Sequence, residues 1–174
     1  MIKKLSNNPL LLSSINNLLL QEKLFLVKQS NFIHTTIAIN TSQNQLLLKT
    51  KNEISNFDLP VDLNLLLSKI MQITSDIKFQ IGISDYFPYQ RTIYSKSKKL
   101  LLTDIQNIIL SNLIVSKEGI NKISLYKSIW DKDKNIFINK LDTHLTNLKN
   151  QLIKDLDMKV TFQSQDKILK LLVN

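Results

Sequence analysis

The chain has 174 residues, a hydrophobic fraction of 43% and a formal net charge of +9. That length can bury one respectable core or two small ones, and that hydrophobic fraction excludes wholesale disorder. Cysteine is absent, which excludes disulfides, thiolate metal sites and cysteine nucleophiles.

The positive charge is almost wholly lysine, with Arg91 the single arginine. A basic surface suits nucleic acid or anionic lipid. Asn, Lys, Ile and Leu dominate while glycine is scarce, a bias that AT-rich coding DNA also produces, so part of the lysine excess reflects composition. Met1-Ile2-Lys3-Lys4 followed by Leu10-Leu11-Leu12 has the opening of a signal peptide, but Asn16 and Asn17 interrupt the apolar run and no small-residue cleavage site follows. No stretch approaches the roughly 20 apolar residues of a membrane span. The expectation is a soluble cytoplasmic protein without a membrane partner.

In chain order, Pro9 to Glu22 reads as a helix with Leu11, Leu12, Ile15, Leu18 and Leu19 in a stripe. Leu24 to Val27, Ile33 to Ile39 and Gln45 to Lys49 are strand candidates. Pro60 is expected to open a helix with Leu63, Leu66, Leu67 and Ile70 on its apolar face, since proline is tolerated in a first turn. The pattern changes after Thr74. Short strands are expected over Lys78 to Ile83, Thr92 to Tyr94 and Leu100 to Leu102, with Asp85 to Pro88 as a turn. Thr103-Asp104-Ile105-Gln106 has the form of a capping box. The helix it starts is expected to bury Ile105, Ile109 and Leu113 and to stop near Gly119. Asn121 caps a second helix through Leu125, Ile129 and Trp130, and Trp130 is expected in the core.

A loop over Asp131 to Asn135 precedes the most informative segment. Leu141, Leu145, Leu148 and Leu152 recur at steps of four, three and four, which marks one face of an α-helix. The other face carries Lys140, Thr143, Asn147, Asn150 and Lys154, which hydrogen-bond readily and include no acid. A β-like tail, Val160 to Val173, follows and is expected to form a hairpin.

Leu102-Thr103-Asp104-Ile105-Gln106 with Ile109-Leu110, Ile120-Asn121-Lys122 with Leu125 and Ile129-Trp130, and Leu141-Asp142-Thr143-His144-Leu145 with Leu148 and Leu152 follow one another at characteristic gaps. Together they resemble the DNA-binding domain of OmpR-type response regulators, with Gln106 replacing the usual Glu. Phe57 to Leu63 with Leu66-Leu67 resembles the last helix of a receiver domain, with Leu59 in its lysine position. The resemblance implies an α+β chain of two domains: a small, degenerate receiver-like α/β domain over residues 1–76 and a C-terminal winged helix-turn-helix over 77–174. It implies a cytoplasmic transcriptional regulator that binds double-stranded DNA independently of phosphorylation and works with RNA polymerase. A homodimer would form through the helix around Pro60 to Ile73. The implied DNA-contacting residues are Asn139, Lys140, Thr143, His144, Thr146, Asn147, Lys149, Asn150, Lys154 and Lys167. The family usually has arginines where Asn147 and Lys149 stand. Arginine reads guanine and asparagine reads adenine, so an AT-rich site is expected.

Several readings stay open on the residues alone. His144 suits either a phosphate-facing or a half-buried capping role; a metal role would need partners, and His34 is the one other histidine. Lys167 and Lys170 suit either phosphate contact or a solvated hairpin edge. An enzyme is not expected: the phosphate-cradling glycine loop, Gly-x-Ser-x-Gly and His-rich metal motifs are missing, and no cofactor or metal is implied. The alternative to DNA binding is a protein-interaction module that kept the fold. Lipid-surface binding suits the Thr and Asn face poorly.

Overall fold

A computed structural model describes residues 2–5, 10, 13–14, 17, 37–42, 45–49, 54–75, 77–130, 133 and 135–173. They form an α+β fold with mostly antiparallel sheets. The chain divides into two compact units, Met1–Asp76 and Ile77–Asn174.

The first unit holds a four-stranded sheet in the order β1 (Ile2–Leu5), β2 (Ile37–Ser42), β3 (Gln45–Lys49), β4 (Ile54–Asp58). The β1–β2 pair is parallel and the other pairs are antiparallel. A receiver resemblance implies a parallel sheet wound by helices, and this sheet departs from it. The reason is connection length: parallel neighbours need a crossover of a dozen or more residues, whereas two residues separate β2 from β3 and four separate β3 from β4. Leu46 and Leu48 alternate onto one face of β3 and are fully buried, as are Leu66 and Ile70 on helix α1 (Leu63–Ser75).

Helix α1 starts at Leu63, so Pro60 lies before the helix rather than in its first turn. Asp62 supplies the start instead. Its carboxylate accepts from the Asn64 amide at 2.8 Å and its carbonyl from the Leu66 amide at 3.0 Å. Strands β1 and β4 went unforeseen. Of the helix expected over Pro9 to Glu22, Leu10, Ser13, Ser14 and Asn17 are helical. The strand expected over Leu24 to Val27, and the first part of that over Ile33 to Ile39, lie outside the described residues.

The second unit opens with an antiparallel meander, β5 (Phe79–Ile81), β6 (Ser84–Phe87), β7 (Thr92–Ser95) and β8 (Lys98–Leu101). The turn expected over Asp85 to Pro88 is mostly strand β6. Alternation places Ser84 and Tyr86 inward, and Gly82, with φ of 61°, makes the reversal two residues earlier. Helix α2 (Asp104–Val115) follows the expected capping box. The Thr103 hydroxyl accepts from the Gln106 amide at 3.3 Å, and the Gln106 side chain accepts from the Thr103 amide at 2.9 Å.

Helix α2 ends at Val115, earlier than the expected stop near Gly119. Gly119, with φ of 94°, instead turns the chain into the short strand β9 (Ile120–Asn121); a Cβ there would lie 2.6 Å from Ile168 Cγ2. Asn121 caps helix α3 (Lys122–Ile129) through the Ile123 and Ser124 amides. Helix α4 (Ile138–Leu156) then leads to a hairpin, β10 (Val160–Gln165) and β11 (Ile168–Val173). Asp166 and Lys167 both have positive φ, as a two-residue hairpin turn with the right twist requires. Strand β11 also pairs with β9, so the order of this small sheet is β10-β11-β9.

The core of this unit joins Tyr86 and Ile93 from the meander, Ile109, Leu110 and Leu113 from α2, and Leu125 and Tyr126 from α3. Leu141, Leu145, Leu148, Leu152 and Leu156 from α4 complete it, with Val160 and Leu169 from the hairpin. Helix α2 is buried on nearly every side, and its polar groups are satisfied internally. The Tyr86 hydroxyl meets the Asn107 side chain and, at 2.7 Å, Ser111, while the Asn107 amide donates to the Pro88 carbonyl at 3.0 Å. Burial pushes the Tyr86 phenol well above its ordinary pKa, so it remains a neutral donor.

Candidate nucleic-acid interface

Of the 23 Lys and Arg, 16 lie in residues 77–174 beside nine of the 14 Asp and Glu, so most of the net charge belongs to this unit. Helix α4 is its most strongly two-faced element. The five leucines point inward and are at most 5% exposed, and α4 packs against α2, α3, β8 and β10. Asn139, Thr143, Thr146, Asn147, Asn150 and Lys154 are exposed on the other side, as the 3.6-residue period dictates. Asn139, Asp142, Thr143, Thr146 and Asn147 line one shallow surface depression. The helix starts after Phe137, which makes no side-chain cap; the Lys140 amide donates to the Phe137 carbonyl at 2.9 Å, and the two amides before it have no acceptor within the helix.

The expected site residues are not equivalent. Thr143 and Thr146 donate their hydroxyls to the Asn139 and Asp142 carbonyls, each at 2.9 Å, leaving those oxygens as acceptors toward solvent. Lys140 is committed within the protein: its ammonium lies 3.1 Å from the Asp133 carboxylate and 4.3 Å from the centre of the Trp130 ring. Lys149 is half-buried and Lys154 exposed, and neither forms an ion pair with a described residue. Lys167 is exposed at the hairpin turn, and its carbonyl accepts from the Lys122 amide at 2.9 Å.

His144 is half-buried with its ring 5.5 Å from that of Trp130. Among the described residues, no cluster of His, Asp and Glu is arranged to hold a metal ion. Trp130 is half-buried rather than in the core, because α3 ends there and its ring closes the cluster from outside, 4.7 Å from Tyr126.

Two groups at this face were missed. Asp142 makes the helix face less acid-free than its sequence suggests, and Lys122 at the start of α3 neutralises it at 2.6 Å. Asp133, before α4, accepts from the Tyr126 hydroxyl at 2.7 Å as well as from Lys140; these bonds hold its carboxyl below the usual carboxylate range. The Asp142 signal was available, since it sits one residue before Thr143 at the edge of the helix face. The Lys122 partnership was not, because it joins two helices.

No protein-family model matches the chain, and no curated protein is significantly similar to it. Among the solved structures that the chain is similar to is one described by the words "a novel family of redox sensors in the streptococci evolved from two-component response regulators". Identity is 17%, over 67% of this chain and 55% of that one, with a TM-score of 0.43. The chain thus spans little more than half of that structure's length. No helix among the described residues is long and apolar enough to cross a membrane.

Proposed function

We propose that residues 77–174 form a winged helix-turn-helix that binds duplex DNA, with α4 in the major groove and the β10–β11 hairpin against the neighbouring backbone. The observation that carries this reading is the outer face of α4. Six exposed hydrogen-bonding residues, Asn139, Thr143, Thr146, Asn147, Asn150 and Lys154, stand opposite five buried leucines. Asparagine pairs bidentately with adenine, lysine neutralises phosphate, and the uncapped α4 N-terminus offers amide donors to a phosphate. With one arginine in the whole chain, guanine reading is poorly supplied and an AT-rich target fits best.

The biological role would be transcriptional regulation in the cytoplasm, with RNA polymerase as the second partner that the resemblance supplies. Leu59 in the receiver lysine position supports independence from phosphoryl transfer. Leu65 and Met71, exposed on α1, support homodimerisation through that helix.

A protein-interaction module is the second reading. It is favoured by Asp142 within the α4 face and by the diversion of Lys140 to Asp133 and Trp130. Titration of the wild type and an Asn147→Ala/Lys149→Ala double variant against AT-rich and GC-rich duplexes separates the two. DNA binding predicts AT preference in the wild type and its loss in the variant. If neither duplex binds at low salt, or the variant matches the wild type on both, the interaction module replaces it.

A further inference from the structure

Two hairpin tips stand together at one end of the β5–β8 meander. Ile81 pairs with Ser84 and Ser95 with Lys98, so the turns are Gly82-Ile83 and Lys96-Ser97. Successive strands run in opposite directions, which puts both turns at the same end. Turns usually carry Gly, Asn, Asp, Ser or Pro. Here one presents an isoleucine that is 78% exposed, more than any other large apolar residue described in this unit. The other presents a lysine at a φ of 52°, where glycine or asparagine is the usual choice. The end of β11 lies against them: a Cβ on Gly82 would sit 3.0 Å from Val173 Cγ1, and Val173 is itself 39% exposed.

These tips, Lys159 before β10 and Asp157 after α4 surround one half-open depression. Its floor of Ser84, Leu156 and Met158 is buried, so only the rim can meet a partner. The rim carries Ile83 and Val173 together with the ammonium groups of Lys96, Lys98 and Lys159, all on exposed residues. Asp157 is the one carboxylate among the described residues around it. Lys98 pairs with it, and that bond, with Lys96 at longer range, holds its carboxyl below the usual carboxylate range. Three lysines against one acid leave positive charge over.

A protruding aliphatic tip ringed by surplus lysines fits a surface that is apolar within and anionic outside. A bilayer containing acidic phospholipids is such a surface: the aliphatic group enters the acyl boundary while the lysines reach the headgroups on their apolar stems. A protein partner would need an open recess for its own side chains, and the floor of this one is buried. A bilayer needs no matching shape. We propose that these hairpin tips dock residues 77–174 peripherally on an anionic phospholipid bilayer, with Ile83 inserted and Lys96 and Lys159 against the headgroup phosphates. The surface uses none of the residues on the outer face of α4, and it stands or falls independently of DNA binding.

Sedimentation of the full chain with vesicles of phosphatidylcholine alone, or with about a third phosphatidylglycerol, tests it. Binding to the mixed vesicles alone, weakening with salt, is the expected result. Lys96→Gln/Lys159→Gln is expected to lower the lipid partition about 10- to 30-fold, since each lysine at the surface contributes a factor of about five. Lys117→Gln/Lys127→Gln removes equal charge from exposed positions outside the rim and is expected to lower it less than about threefold. Ile83→Ser is expected to lower it about fivefold through lost insertion. All these substitutions alter exposed side chains, and circular dichroism checks that the fold is kept. Absence of binding to mixed vesicles at low salt, equal losses in the two lysine pairs, or an unchanged partition in Ile83→Ser would each overturn the proposal. Poly-glutamate binding that depends on Lys96 and Lys159, without vesicle binding, would also overturn it and assign the rim to an acidic protein partner.

Discussion

Trp130 concentrates several interactions in one side chain. It touches Tyr126 and His144 and carries the Lys140 ammonium over its ring. Trp130→Ala is expected to cost about 2–3 kcal/mol in urea denaturation, below the ~3–5 kcal/mol of a fully buried tryptophan because Trp130 is only partly buried. An unchanged midpoint would contradict the packing. Asp133 gives a pH dependence. The Tyr126 hydroxyl and then Lys140 hold its carboxyl below the ordinary value of about 4. A depressed folded-state pKa means that the stabilisation is present above that ordinary value and is lost as the pH falls through the depressed one. Asp133→Asn is therefore expected to melt below the wild type at pH 7, and the gap is expected to close in acid as the pH falls through the depressed value. A gap that persists in acid would assign the effect to packing.

At the scale of elements, helix ends and turns decide the architecture. The Thr103–Gln106 box satisfies two amide hydrogens at the start of α2, the helix most completely enclosed by the core. Thr103→Ala is expected to lower stability by about 1 kcal/mol, measured by the same denaturation. The two-residue turn at Asp166 and Lys167 sets the β10–β11 register, and β11 carries that register on to β9. Lys122 links the start of α3 to Asp142 on α4. That bridge joins the two helices that a helix-turn-helix would hold in register on DNA.

The two compact units divide the charge unevenly, and the basic one carries the α4 face. If that face meets DNA, Lys149→Ala and Lys154→Ala should each weaken binding to every sequence and lower the log–log salt slope by about one unit. Asn147→Ala should instead relax base preference, by about 1–3 kcal/mol if its contact is bidentate. Electrophoretic titrations at several salt concentrations distinguish the two patterns. A salt-independent affinity would point to apolar partner binding. Incubation with acetyl phosphate and Mg²⁺ is expected to leave the intact mass unchanged, because the first sheet departs from a receiver's and, if the receiver resemblance holds, Leu59 takes the place of its charge-pairing lysine; a stoichiometric phosphate adduct would contradict this.

Local chemistry was legible in the sequence wherever neighbours along the chain decide it. The 3.6-residue spacing of Leu141, Leu145, Leu148 and Leu152 specifies α4 and its inward face, and Thr103 with Gln106 specifies a helix start. Asn121 likewise specifies a cap, and β-rich runs specify β3 and the terminal hairpin. Tertiary structure decided everything that depends on distant residues. Asp85 to Pro88 looks like a turn until β5 and β7 pair with its first residues on either side. Asn107 and Ser111 look like a solvated helix face until Tyr86 arrives from the meander. Lys140 looks like a free cation until the chain brings Asp133 and Trp130 to it. Periodicity fixes which way a side chain points, whereas packing fixes what it meets.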